Sequence, residues 1–149
     1  TTEGGLDVAN DIDRLQGIVE TLGATGMRVS AFVDATEDQI NAVLACGFTV
    51  CEIHTGLYAE AVIKNNAELD CPEVLQERDK IEHAVQYALS LGLQCNAGHG
   101  LTHHNVSKIA SIPNISELHI GHSIVSRSVI VGMQTSVREM KTLIKDSIE

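Results

Sequence analysis

Residues 48–56 read FTVCEIHTG, and this segment decides the fold. The run from Phe48 to Cys51 is apolar or β-branched, which is typical of a buried strand. The segment then turns polar at Glu52 and His54, just before a Thr-Gly turn. The pattern predicts a strand over residues 48–54 that carries titratable side chains at its carboxyl end.

Three other short segments share this pattern of an apolar strand followed by polar or glycine residues. They are MRVSAFV at residues 27–33 before Asp34, LQCNA at 93–97 before GHG at 98–100, and LHI at 118–120 before GH at 121–122. Apolar residues between them recur at helical spacing and predict helices over residues 7–23 with Asp7 as the cap, 36–47, 73–91, through Val106 and Ile109, and twice at the end. The excursion before residue 73 is where we expect extra structure.

Strands that alternate with helices are joined by right-handed crossovers and form a parallel sheet. All four predicted strands then point the same way, and their carboxyl ends share one face. Barrels and open α/β sheets both bind ligands and carry out chemistry at that face. The sequence therefore predicts an α/β fold with its acid–base candidates gathered together.

The composition is typical of one globular unit, and it argues against some classes of binding partner. The 149 residues are 44% hydrophobic and carry a formal net charge of -10, which disfavours nucleic acid and membrane surfaces as partners. The four cysteines form no C-x-x-C pair, so we expect reduced and mostly buried thiols. No segment is typical of a membrane span or a signal peptide, and we expect a cytoplasmic protein.

Glu52 and His99 are the candidate acid–base residues. A carboxylate at the rim of a core is partly desolvated and suits acid–base or charge-stabilising work. The alternative is a strand-end glutamate paired with a lysine or a helix N-terminus. His99 lies between two glycines, where its imidazole is accessible for proton transfer, and the alternative is a surface hydrogen-bonding role.

Gly100, Gly121 and His122 are candidates for binding phosphate. Each lies just ahead of a predicted helix, whose free N–H groups attract anions. They also follow the last two strands of the chain, and the loops after the last two strands of a barrel commonly bind a substrate phosphate.

The sequence favours no metal or dinucleotide cofactor. Adjacent His103 and His104 point in different directions at a helix start, and no H-x-x-x-H motif is present among the seven histidines. The GHG string is too short for a dinucleotide fingerprint, and no lysine ends a strand to form a Schiff base.

Four longer strings resemble the pyridoxine 5′-phosphate synthase family. They are TTEGGLDV at residues 1–8, EIHTGLYA at 52–59, NAGHGLT at 96–102 and ELHIGH at 117–122. The resemblance continues in order to the end of the chain, through SRS at 126–128 and VREMK at 137–141. The match is specific because it covers several strand ends at once.

This resemblance implies a (β/α)₈ barrel of TIM type that condenses 3-amino-2-oxopropyl phosphate with 1-deoxy-D-xylulose 5-phosphate. The pyridine ring closes with release of phosphate and water, and no cofactor or metal is used. By resemblance, His99 donates a proton and Glu52 stabilises charge in the transition states. Thr1, Gly100, Gly121 and His122 would contact the phosphorylated substrates, and Thr1 is assigned by the resemblance alone.

A full barrel needs roughly 250 residues, so residues 1–149 are expected to form a single domain that represents its last four β/α units. The N-terminal half would be absent, and we expect the chain alone to be inactive. Two unpaired sheet edges and an inner face rich in Val, Ile and Phe would favour a homo-oligomer. The alternatives are a non-catalytic phosphate-binding or assembly module and another phosphate-binding barrel enzyme.

Overall fold

The structure is a computed structural model that describes residues 4–148. A sheet of four parallel strands, in the order β1-β2-β3-β4, forms its centre. The strands are β1 Ser30–Val33, β2 Val50–His54, β3 Gln94–Gly98 and β4 Leu118–His119. The predicted α/β fold with a parallel sheet is therefore confirmed, and the carboxyl ends of all four strands lie at one edge.

Helices cover one face of this sheet and fill the connections. They are α1 Ile12–Gly23, α2 Glu37–Ala45, α3 Gly56–Lys64, α4 Pro72–Ser90, α5 Val106–Ala110, α6 His122–Val131 and α7 Met133–Asp146. The excursion after β2 contains α3, as expected, and Tyr58 of this helix is completely buried. None of the helices within residues 4–148 is both long enough and apolar enough to cross a bilayer.

The first helix starts later than the sequence predicts. Asp11 is the residue before α1, and the prediction of Asp7 as the cap is wrong. Asp7 instead accepts hydrogen bonds from the side chains of Asn10 (2.6 Å) and Gln39 (2.8 Å). Residues 6–8 are held against the sheet and α2, since the Leu6 N–H donates to the Phe32 carbonyl oxygen of β1 (2.7 Å) and the Val8 N–H donates to Gln39 Oε1 (2.8 Å).

The two faces of the sheet differ in chemistry. The helix-covered face consists of small and aliphatic residues in register, namely Ala31, Val33, Cys51, Ile53, Cys95 and Ala97, all of which are buried. Alternate residues of the same strands point the other way, because successive side chains in a strand alternate between faces. Those residues are Ser30, Phe32, Val50, Glu52, His54, Gln94, Asn96 and Gly98, with His119 on β4.

This second face is mostly polar, so the expectation of an inner face rich in Val, Ile and Phe is wrong. The aliphatic residues that suggested it lie beneath the helices. The cysteines behave as predicted, since all four are free thiols and Cys46, Cys51 and Cys95 are buried.

Candidate active site

A cavity of about 600 Å³ opens at the carboxyl ends of β2, β3 and β4. It brings together five of the six predicted site residues, which are Glu52, His99, Gly100, Gly121 and His122. The remaining wall consists of Leu101, Thr102, His119, Ile120 and Ser123. Thr1, the sixth predicted residue, lies outside the described residues.

Glu52 projects from β2 into this cavity, and its side chain is 19% exposed. Its Oε2 atom lies 2.6 Å from Nδ1 of His119 on β4. Strand β3 lies between these two strands, and its residue Gly98 is the register partner of His119. A Cβ at position 98 would collide with Oε1 of Glu52 and would lie 2.9 Å from the carbonyl oxygen of His119. Because Gly98 has no Cβ, there is space for the Glu52 carboxylate to contact the His119 imidazole.

His119 lies between two carboxylates. Its other ring nitrogen, Nε2, lies 3.3 Å from Oε2 of Glu117. Partial burial would lower the pKa of His119, but the hydrogen bonds and charges of Glu52 and Glu117 outweigh it. The pKa of this imidazole is therefore raised above its ordinary value of 6.5.

His99 adopts a left-handed backbone conformation, with φ of +83°, and Gly100 follows it at +73°. A residue with a side chain rarely adopts this conformation unless neighbouring contacts hold it. The hydroxyl of Thr55 supplies such a contact by donating to the carbonyl oxygens of Gly98 (2.8 Å) and His99 (2.5 Å). This backbone conformation places His99 in the wall of the cavity.

A second histidine supports the ring of His99. The ring centroids of His54 and His99 are 5.0 Å apart, and Phe32 packs against both rings. Nδ1 of His54 lies 2.9 Å from Oδ1 of Asp34, which follows β1. The His54 side chain is only 8% exposed, and its Nε2 atom has no hydrogen-bond partner within residues 4–148. The rings of Phe32 and His54 therefore pack against the His99 imidazole, and Asp34 holds the His54 ring in place.

The loop from His99 to Asn105 is anchored from inside the protein. The Tyr58 hydroxyl of α3 donates to the Asn105 carbonyl oxygen at 2.8 Å, and burial raises the pKa of Tyr58 to about 12. Asn105 Oδ1 in turn accepts from the Thr102 N–H at 2.7 Å. These contacts hold one wall of the cavity against the helical layer.

Helix α6 begins at the cavity, with Gly121 as the residue before it and His122 as its first residue. The first N–H groups of an α-helix have no partner within the helix and, together with the helix dipole, form a site for anions. The hydroxyl of Ser123 donates to the Leu101 carbonyl oxygen at 2.7 Å and links this helix start to the loop after β3. The geometry suits a phosphate group between the two loops.

The part of the chain that the structure describes has no set of side chains arranged to bind a metal ion. Residues 4–148 contain no cluster of three or more His, Cys, Asp or Glu side chains arranged to hold an ion. His103, which could suggest a metal site in the sequence, instead pairs its Nε2 with the Ser136 carbonyl oxygen at 3.1 Å.

Sequence reasoning identified the cavity residues at the strand ends but missed the contribution of His119. The signal for it is the alternation of polar and apolar residues over Glu117, Leu118, His119 and Ile120, which places the two polar residues on one side of a strand. The contact with Glu52 depends on the register of three strands, which no local pattern shows.

The fold and the cavity define a parallel α/β protein whose polar site at the strand ends suits an anionic ligand. Comparison with known proteins identifies the family. The sequence profile of the family described as "Pyridoxal phosphate biosynthesis protein PdxJ" matches residues 1–146, and the chain belongs to this family.

Curated relatives carry the name pyridoxine 5′-phosphate synthase. The protein of Dechloromonas aromatica is 46% identical over 149 residues, a match that covers the whole chain and 59% of that protein. The protein of Coxiella burnetii (strain Dugway 5J108-111) is 53% identical over 144 residues, which is 97% of the chain and 57% of that protein. The chain therefore spans less than two thirds of the length of these relatives.

Proposed function

We infer that this chain supplies the last four β/α units of a (β/α)₈ barrel that acts as a pyridoxine 5′-phosphate synthase. The reaction would condense 3-amino-2-oxopropyl phosphate with 1-deoxy-D-xylulose 5-phosphate and close the pyridine ring. Membership of the family, the name of the relatives and the share of their length that the chain covers support this proposal. The open parallel sheet also supports it, because four strands of this kind are half of such a barrel.

Both proposed substrates are phosphorylated, and the cavity offers two anion-binding elements. One is the N–H of Gly100 after β3, and the other is the start of α6 at Gly121 and His122. Their positions after the last two strands of the proposed barrel match the usual phosphate site of this fold. We assign these three residues, together with Thr1 by family resemblance, to the phosphorylated substrates.

The condensation of an amine with a ketone and the later loss of water both need protons to be delivered and removed. His99 would donate a proton, since its imidazole lies in the cavity wall and is held by His54 and Phe32. Glu52 would stabilise the cationic nitrogen that forms during condensation. The ring closure would use no metal and no cofactor, and the enzyme would be of the transferase type.

The rest of the barrel would come from a further segment that is N-terminal to these residues. By themselves the 149 residues would be inactive, because the first four strands would complete the cavity wall. The edges of β1 and β4 pair with no further strand within residues 4–148, which supports association with that segment. The complete enzyme would be a cytoplasmic homo-oligomer whose ligands are small phosphorylated molecules.

The observation that carries this proposal is the gathering of Glu52, His99 and the two glycine loops around one cavity. The test is a ring-closing assay on the complete enzyme, followed by absorbance of the product. Replacing Glu52→Gln or His99→Asn should lower kcat by about 10²- to 10⁴-fold.

Matched control variants are Glu60→Gln on the exposed side of α3 and His83→Asn on the exposed side of α4, both outside the cavity. These should retain the activity of the unmodified enzyme. The alternative of a non-catalytic phosphate-binding module would appear as binding of both substrates without any turnover in the unmodified protein. That result would refute the enzyme proposal.

A further inference from the structure

Glu52 and His119 make a short polar contact between two side chains that line the cavity. His119 Nδ1 lies 2.6 Å from Glu52 Oε2, across the intervening strand β3. Such a short contact between an imidazole and a carboxylate is typical of a charge-assisted hydrogen bond, which is stronger than a neutral one. It fixes the Glu52 side chain from a strand other than its own.

The backbone is adapted to this contact. Gly98 pairs with His54 on one side and with His119 on the other, and the side chain of Glu52, whose own register partner is Asn96, reaches over it. Any side chain at position 98 would occupy the space of Glu52 Oε1 and would press on His119, whose Cβ would lie 3.1 Å away. The sheet therefore has a gap where the carboxylate reaches across it.

Both nitrogens of His119 face carboxylate oxygens, which can only accept hydrogen bonds when ionised. A neutral imidazole has a single N–H, so both contacts are satisfied only when the ring is an imidazolium. The other histidines that line the same cavity are His99 after β3 and His122 on α6. No lysine or arginine lines the cavity within residues 4–148. A His119 imidazolium would therefore offset the charge of the Glu52 carboxylate in the cavity to which the proposed function assigns anionic substrates.

We propose that His119 is a positioning residue for catalysis: its Nδ1–H holds the Glu52 carboxylate in place, and Glu117 holds the opposite side of the ring. His119 thereby acts through Glu52 and has no contact of its own with the reacting atoms. The inference rests on the proposed function, because it assigns a role within that same site. Among the cavity residues, His99 keeps the role of proton donor.

The first test compares His119→Ala with His119→Asn in the complete enzyme. An asparagine amide can place an N–H close to the position of Nδ1, so it keeps a neutral donor to Glu52, whereas alanine removes the donor. His119→Ala should lower kcat by about 10- to 100-fold because Glu52 is misplaced, with little change in KM. His119→Asn should recover kcat to within about fivefold, since a neutral hydrogen bond is weaker than a charged one. Equal activity of the alanine variant and the unmodified enzyme would overturn the proposal.

The second test uses pH. As pH rises through the pKa of His119, the ring loses one N–H and can no longer hold both carboxylates, so kcat should fall. Glu117→Gln removes one of the carboxylates that raise this pKa and should move that fall to lower pH. His119→Asn should remove this component of the profile. A pH profile that is unchanged in both variants would contradict the assigned role.

A third measurement does not depend on turnover. Ring ¹⁵N NMR of His119 in the complete protein should show a titration midpoint above 6.5 that falls in Glu52→Gln and again in Glu117→Gln. If the unmodified protein shows this titration but no ring closure, the proposed function fails and the Glu52–His119 coupling stands. If ring closure is present and the midpoint is insensitive to Glu52, the coupling fails and the proposed function stands.

Discussion

Replacing Gly100→Ala should destabilise the protein more than replacing Gly92→Ala, and the structure separates the two causes. Gly100 has φ of +73° and Gly92 has φ of +83°, so both lie in the left-handed region. Holding an alanine there costs roughly 1–2 kcal/mol at either position. At position 92 a Cβ would meet nothing within 4 Å, so we expect only this backbone cost.

At position 100 a Cβ would lie 2.6 Å from the Cβ of Ala59 on α3, whereas carbon atoms pack best at about 3.5–4.0 Å. The loop or the helix must therefore move by about 1 Å, and overpacking of this kind costs typically 1–3 kcal/mol. The sum predicts a loss of about 2–5 kcal/mol in the free energy of unfolding for Gly100→Ala.

The assay is urea unfolding of the complete protein, followed by circular dichroism, with both variants measured at the same protein concentration. A second control, Gly26→Ala, has φ of +83° and no neighbour within 4 Å, and it should behave like Gly92→Ala. Equal losses for Gly100→Ala and the two controls would show that the loop after β3 does not pack on α3 as described. The reasoning about a tightly anchored cavity wall would then be refuted.

The remaining predictions concern the same wall and the same sheet. Tyr58→Phe removes the donor to a buried carbonyl oxygen and should cost about 1–3 kcal/mol in urea unfolding, whereas Tyr87→Phe, whose partner Asn41 is exposed, should cost less than about 1 kcal/mol. Equal losses would contradict the anchoring. Because the pKa of His119 is raised in the folded protein, its ion pair stabilises the fold fully below pH 6.5, and this contribution is lost as pH rises through the raised pKa. Unfolding measured across that range should show the loss, of less than about 1 kcal/mol for a pair whose imidazole is 42% exposed, and His119→Asn should abolish it.

Much of the fold follows from local patterns in the sequence. The switch from apolar to polar residues at Glu52 and after Ala97 marked two strand ends, and parallel strands bring such ends together. The sequence therefore predicts that Glu52, His99 and Gly121 lie close together. The three residues do line one cavity, and each of them follows a strong local signal in the sequence.

The contacts that the sequence did not reveal all depend on distant partners. Asp7 has the features of a helix cap, but its carboxylate instead accepts a hydrogen bond from the side chain of Gln39, which is 32 residues away along the chain. His119 meets Glu52 across 67 residues, because the Glu52 side chain reaches past Gly98, which is the register partner of His119. The polar character of the open face also depends on which alternate residues of each strand point to it. A shift of the strand by one residue would move every side chain to the other face.

Successive side chains of each strand point to opposite faces of the sheet, so the face on which a residue lies depends on whether its number is odd or even. In β1, β2 and β3, odd-numbered residues such as Ile53 and Cys95 pack under the helices, whereas even-numbered residues such as Glu52 and Asn96 face the opposite side. Side chains at the even positions could therefore be exchanged with little effect on the hydrophobic layer beneath the helices. Natural variation in the helices should likewise leave the chemistry at the even positions largely unaltered.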